Sequence, residues 1–119
     1  MKKTYLMTVA AVTLISSVVS LNAFAGGDMV AGKALADKTC AACHGADFKS
    51  PIDASYPKLA GQHRDYLEHA LIAYQRGGDG PNGRNNAIMG PQAKMLSKQD
   101  IKNVAAYLAS QPGPLVVEK

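Results

Sequence analysis

The chain has 119 residues, among them 13 Lys and Arg, 9 Asp and Glu, three histidines and two cysteines, and its formal net charge is +4. This length allows one domain and little more. The basic residues are neither dense nor interleaved with aromatic ones, so the composition excludes a polybasic nucleic-acid-binding surface.

Residues 1–25 have the pattern of a secretory signal peptide. Two lysines precede an apolar stretch over residues 6–21, and Ala-Phe-Ala at 23–25 offers small residues where signal peptidase requires them. We expect cleavage after Ala25, which leaves a domain of residues 26–119 with 11 basic and 9 acidic residues and a net charge of +2. An uncleaved membrane anchor is the alternative, but the apolar stretch is short for a span.

The first helix of the exported part is predicted from Met29 to Cys40. Asp28 suits its N-cap, and Val30, Ala34 and Leu35 are expected on the buried side of this helix. The predicted helix therefore ends at the first of the two cysteines.

Cys40 and Cys43, with the adjacent His44, form the C-x-x-C-H pattern of haem attachment. Two thiols three residues apart lie on one side of a helical turn, so both can reach the vinyl groups on one edge of a haem. The histidine that follows can then bind the iron. We expect one covalently bound haem c, with His44 as its first axial ligand.

Other uses of two cysteines fit less well. A thioredoxin-like redox pair needs a βαβ pattern that is missing here, and a structural zinc site needs four ligands, whereas His63 and His69 do not share a helix face. A disulfide between Cys40 and Cys43 would close a very small loop and add little stability. A large apolar cofactor instead explains how so small a domain supports long loops.

A loop and a second long helix follow the motif. Residues 45–61 contain two prolines and no sustained periodicity, which predicts a loop. Gln62 to Arg76 is predicted to be an amphipathic helix. Its apolar face would consist of Leu67, Ala70, Leu71 and Tyr74.

A second loop and a third long helix complete the chain. Residues 77–91 are rich in glycine and are predicted to be loop. Ser97 is predicted to open the last helix, with Asp100 completing a weak capping box and Pro112 ending the helix. No run of alternating polar and apolar residues indicates a sheet, so the expected fold is all-α, with about three main helices and long loops.

Met29, Met89 and Met95 are the candidates for the second axial ligand of the iron. Met29 lies too close in sequence to His44 to reach the opposite face of a haem, and Met95 lies beside the start of the last helix, where it could belong to the core. Met89 lies in the second loop, which can bring a side chain onto a flat ring. A thioether on iron favours electron transfer, and we favour Met89 for this role.

Six short segments carry a resemblance to a known family. With them, the sequence resembles the class I c-type cytochromes, most of all one half of the dihaem periplasmic cytochromes and their small monohaem relatives. The resemblance spans nearly all of the exported part of the chain. The segments are CAACHG (40–45), YPKLAGQ (56–62), YL (66–67), RNNAIMGP (84–91), LSKQDI (96–101) and AAYLAS (105–110).

Carried over residue by residue, the resemblance implies a cytochrome c fold wrapped around one haem c. Cys40 and Cys43 would form the two thioether bonds. His44 and Met89 would bind the iron from opposite faces. The second haem domain of the dihaem family is missing, so a mechanism that uses two haems in one chain does not transfer.

The resemblance also assigns supporting roles. The carbonyl of Pro57 would accept a hydrogen bond from the ring of His44, and Leu59 would pack on the haem. Gly32 would allow the first helix to cross the last one closely. Residues 78–83 are an insertion relative to the family, and their role is not assigned.

These assignments predict a non-enzymatic carrier of single electrons in the bacterial periplasm. Its partners would be redox proteins that dock transiently, and a homodimer in place of the missing second domain is left open. Two alternatives remain. If Met89 does not bind, the open iron position would suit an enzyme or a sensor of small ligands. The chain could also be the haem subunit of a larger dehydrogenase or oxidase.

Overall fold

Residues 26–115 are described by a computed structural model of the chain, and they contain helices but no strand. The helices are α1 (Met29–Thr39), α2 (Ala41–His44), α3 (Arg64–Arg76), α4 (Met89–Lys94) and α5 (Lys98–Ser110). The predicted all-α class with three main helices is therefore confirmed, since α1, α3 and α5 are the long ones. The predicted signal peptide, residues 1–25, lies outside the described residues.

Helix α1 is fixed at its start and crosses α5 at a glycine. The carboxylate of Asp28 accepts hydrogen bonds from the backbone of Val30 and Ala31, at 2.8 and 3.0 Å, as predicted for an N-cap. The expected buried side is wrong, because Val30 and Ala34 are exposed and the helix buries Gly32 and Ala36 instead. Gly32 is buried at the crossing, where a Cβ atom would overlap the carbonyl oxygen of Asn103. A glycine is required here because only its missing side chain lets the two backbones approach so closely.

Helix α5 supplies more buried residues than any other helix, and its start is a complete capping box. The Ser97 hydroxyl accepts from the Asp100 amide, while the Asp100 carboxylate accepts from the Ser97 amide, so each satisfies a free donor of the other. The predicted apolar stripe is confirmed, because its four residues are buried. They are Ile101, Val104, Ala105 and Leu108.

Helix α3 packs against both α4 and α5, and it begins two residues later than predicted. Its last residue is Arg76, and the C-cap is Gly77, whose φ of 73° suits a residue without a side chain. The chain after Gly77 returns to the end of α3 at Arg84, because the amides of Gly77 and Arg84 both donate to the carbonyl of Ala73. Residues 78–83 thus form a closed excursion at the end of α3.

The prediction that residues 77–91 are all loop is wrong at its end, because α4 begins at Met89. The side-chain oxygen of Asn86 accepts from the amides of Ile88 and Met89, which supplies the start of a helix that the sequence pattern did not indicate. Pro91 lies in the first turn, where its missing N–H costs nothing. The short helix is thereby compatible with its glycine and its proline.

Candidate functional site

His44 is buried and held in one tautomer. It is the last residue of α2, a single turn that follows α1 directly, and its side chain is 5% exposed. Its ring Nδ1 lies 2.8 Å from the carbonyl oxygen of Pro57. Because a carbonyl can only accept, Nδ1 carries a proton, so in the neutral ring it is Nε2 that has the free lone pair for a metal ion.

The loop after α2 positions Pro57 by folding back on the core. The carbonyl of Phe48 accepts from the amides of Leu59 and Ala60, at 2.8 and 2.9 Å, and the ring of Phe48 packs edge-on against Tyr107 of α5. Phe48 is 2% exposed and adopts a φ of 57°, a backbone conformation rare for a residue with a large side chain. The segment that carries Pro57 and Leu59 is therefore anchored on the hydrophobic core.

Cys40 is the N-cap of α2 and Cys43 lies within its single turn, and both are free, half-buried thiols. Burial raises the pKa of the Cys40 thiol, and a hydrogen bond with the hydroxyl of Thr39 opposes this shift in part. The amides of Cys43 and His44 both donate to the carbonyl of Cys40, so the turn fixes the spacing of the two thiols and the imidazole.

Met89 is the first residue of α4 and is partly exposed, whereas Met95 caps the other end of that helix and is 68% exposed. Both methionines line the same cavity as His44, and Met29 does not. The structure therefore removes Met29 from the three candidate ligands and leaves the other two.

One cavity of about 670 Å³ brings the candidate residues together. Its size lies within the range of small-molecule and cofactor sites, roughly 300–1,000 Å³. Most of its side chains are apolar. Lining residues that the sequence singled out are Cys40, Cys43, His44, Pro57, Leu59, Leu71, Ile88 and Met89.

One of the side chains that line this cavity is a cation stacked on aromatic rings. The guanidinium of Arg84 lies 5.5 Å from the ring centre of Tyr66 and 5.6 Å from that of Tyr74, so it is stacked between two aromatic faces. Two thiols, an imidazole with a free nitrogen, a thioether, apolar walls and a cation fit an iron porphyrin with its two carboxylates.

Two residues that shape the site were missed by sequence reasoning. Asn86 lies three residues before Met89, the first residue of α4, and asparagine is typical of helix starts, but Gly90 and Pro91 hid the helix itself. Gln75 donates from its side-chain amide to the carbonyls of Ala93 and Leu96, which are 18 and 21 positions away. No local sequence pattern could have indicated these two contacts of Gln75.

The part of the chain described by the structure contains no helix that is long and apolar enough to cross a membrane. It also contains no group of three His, Cys, Asp or Glu side chains arranged to hold a metal ion, which is the kind of donor set that a structural zinc site would use.

Known proteins resemble the chain over the same residues. The model of the cytochrome c family matches residues 29–112. Cytochrome c-554(548) of Halomonas halodenitrificans is 46% identical over 89 residues, which cover 71% of this chain and 98% of that protein. Cytochrome c-554(547) of Halothiobacillus neapolitanus is 39% identical over 90 residues, which cover 71% and 97%.

A solved structure extends the likeness to the fold. The crystal structure of reduced recombinant cytochrome c4 from Pseudomonas stutzeri superposes with a TM-score of 0.64 at 37% identity, and the match covers 73% of this chain and 47% of that one. The chain thus spans about half the length of that structure and nearly all of the two c-554 proteins. The family match and these identities together show that the chain belongs to the cytochrome c family.

Proposed function

We propose that this protein is a monohaem cytochrome c that carries single electrons in the bacterial periplasm. One observation carries the proposal: both cysteines, the tautomer-fixed His44 and Met89 line one apolar cavity. In our proposal residues 1–25 are removed on export and residues 26–119 form the functional domain. When bound, haem c supplies an iron centre that gains and loses one electron reversibly.

The histidine side of the cavity would hold the cofactor. Cys40 and Cys43 would be bonded to it through their sulfurs, and His44 would bind the iron through Nε2. The hydrogen bond from His44 Nδ1 to Pro57 keeps the ring oriented and makes Nε2 a stronger donor to the metal. Leu59 would contact the porphyrin from the same loop.

The methionine side would complete the coordination. We assign this role to Met89, because the hydrogen bond from its amide to Asn86 fixes its backbone and because the resemblance places the ligand here. Met95 has the more exposed side chain of the two. Apolar residues of the cavity wall, such as Leu71 and Ile88, exclude water and disfavour the more highly charged oxidised site, which raises the reduction potential.

Lysines at the mouth of the cavity favour acidic protein partners. Lys38 and Lys58 are exposed and line the cavity. Electrostatic attraction between such lysines and an acidic patch speeds encounter without making the complex tight, as an electron carrier requires. Both the donor and the acceptor would therefore be redox proteins that bind transiently.

A pair of methionine variants tests the ligand assignment. In protein matured with haem, Met89→Ala should abolish the weak near-infrared thioether–iron band of the oxidised form, lower the reduction potential and allow rapid carbon monoxide binding to the reduced form. Met95→Ala, the matched control, should keep the band and change mainly stability. If the two results were exchanged, Met95 would be the ligand and our assignment would be wrong.

The same experiment separates the alternatives. A wild-type protein that lacks the band and binds carbon monoxide rapidly would have an open iron position, as an enzyme or a gas sensor requires. A wild-type protein that keeps the band but purifies with a large dehydrogenase or oxidase would be a haem subunit with the same ligands.

A further inference from the structure

We propose that Gln75 is a positioning residue that keeps Met89 directed into the cavity by fastening the far end of α4 to α3. The inference rests on the proposed function, since it concerns the same methionine. It adds a residue that does not itself bind iron but controls how firmly the methionine side of the site is held.

The contact is specific and uses the whole donor capacity of one amide. Gln75 lies one residue before the end of α3 and is half-buried. Its Nε2 atom donates to the carbonyl oxygens of Ala93 and Leu96, both at 2.8 Å. A glutamine amide has two N–H bonds, so both protons are used.

Helix α4 needs such a contact because little else holds its C-terminal end. It has only six residues, of which Ala93 alone is buried. Short helices are not stable by themselves, and the last carbonyls of a helix have no partner within it. The carbonyl of Ala93 also accepts from the amide of Leu96, so Gln75 adds a second donor there and a donor to the carbonyl of Leu96. Its two contacts join this end of α4 to a helix of 13 residues.

The contacts at the other end of α4 cannot replace Gln75. Asn86 bonds to the amides of Ile88 and Met89, two and three positions away, so it belongs to the same segment and moves with it. Among the side-chain hydrogen bonds of residues 26–115, those of Gln75 are the ones that connect α4 and the residues just after it to a distant part of the chain. Loss of Gln75 should therefore let α4 swing outward as a unit, with Met89 on it.

Two variants remove the donors in different ways. Gln75→Leu keeps a similar size without any polar group, and Gln75→Glu keeps the shape but places acceptors against the two carbonyls. Gln111→Leu is the matched control, because the Gln111 amide also donates to a backbone carbonyl, that of Tyr107, but this contact lies at the end of α5 and does not involve α4. The proteins should be matured with haem and compared in three measurements: the near-infrared band against temperature, helix content by circular dichroism, and carbon monoxide binding to the reduced form.

Both Gln75 variants should lose the near-infrared band well below the temperature at which the helices unfold, whereas the wild type and Gln111→Leu keep the band closer to that temperature. Carbon monoxide should bind about tenfold faster to the variants, because the loss of two hydrogen bonds raises the population with Met89 detached. If the band and the helices are lost together, as in the wild type, and carbon monoxide binding is unchanged, Gln75 has only a structural role and the inference fails. An effect of Gln75→Glu without one of Gln75→Leu would likewise overturn it, since the cause would be charge.

A measurement on the unaltered protein keeps the inference testable if the variants do not mature. The side-chain amide protons of Gln75 should exchange with solvent slowly, and those of the exposed Gln92 rapidly. Rapid exchange at Gln75 would contradict the inference. The two proposals also fail differently: a wild type without the thioether band refutes the assignment of Met89, whereas a normal wild-type band with unaffected Gln75 variants refutes only the role of Gln75.

Discussion

The two sides of the cavity are built differently. On the histidine side, His44 and Phe48 are buried. The carbonyl of Pro57 is hydrogen-bonded to the ring of His44, and the amides of Leu59 and Ala60 donate to the carbonyl of Phe48. On the methionine side, Ile88 is 49% exposed and Met95 is 68% exposed. The histidine side is thus part of the hydrophobic core, whereas the methionine side is a short peripheral helix held by two polar side chains.

This difference indicates that the two iron ligands have different stabilities. Detaching His44 requires the core to open, so it should occur only on global unfolding. Detaching Met89 requires the movement of one short helix, and peripheral segments with few buried contacts open at a lower free energy than the core. Ligand exchange at the iron should therefore begin on the methionine side while the rest of the protein stays folded.

The largest expected effect is on the histidine side. Phe48→Ala should lower the free energy of unfolding by about 3–5 kcal/mol, because it removes a buried aromatic ring from the core. Ile52→Ala, in the same loop but 70% exposed, should change it by less than about 0.5 kcal/mol. Urea unfolding of the haem-loaded proteins measures both. Equal effects would mean that this loop is not part of the core. The distinction between the two sides of the cavity would then be wrong.

A smaller effect is expected on the methionine side, and it should fall on the thioether–iron bond rather than on the global free energy of unfolding. Asn86→Ala removes the acceptor for two amides at the start of α4, a change that typically costs about 1 kcal/mol. The cost should appear as a weaker thioether–iron bond, seen as faster carbon monoxide binding, with little change in urea unfolding. Asn85→Ala, at the exposed neighbouring position, is the control. A fall in global stability with unchanged carbon monoxide binding would contradict the distinction.

The same contrast explains what the sequence could and could not predict. Features that depend on neighbours in sequence were predicted: C-x-x-C-H lies on one turn, and the caps Asp28 and Ser97 lie at the helix starts that they stabilise. The hydrogen bond between His44 and Pro57 was expected only through the family resemblance. Helix α4 was missed because Gly90 and Pro91 read as helix breakers, and because the two contacts of Gln75 join residues far apart in sequence. Local patterns carry no information on such contacts.

The smallest expected effect is that of acid on stability, through the carboxylate of Asp100. The Asp100 carboxylate accepts hydrogen bonds from the hydroxyl and the amide of Ser97, at 2.7 and 2.9 Å, and these bonds hold its pKa below its ordinary range. A lowered pKa in the folded state means that the stabilisation is complete above the unfolded value, about 4, and is lost as the pH falls through the lower folded value. Asp100→Asn should reduce this pH dependence by less than about 1 kcal/mol.

The location of Asp100 decides which side of the cavity responds. Its capping box begins two residues after Met95, the C-cap of α4, so protonation loosens the junction between α4 and α5. On acidification the thioether–iron band should therefore fade before the helices unfold, and Asp100→Asn should make that fading less dependent on pH. Asp65→Asn is the control, because Asp65 lies in the first turn of α3, where the N-cap residue makes no side-chain hydrogen bond. If acid abolished the thioether–iron band and unfolded the helices in one step, the methionine side would be as stable as the histidine side.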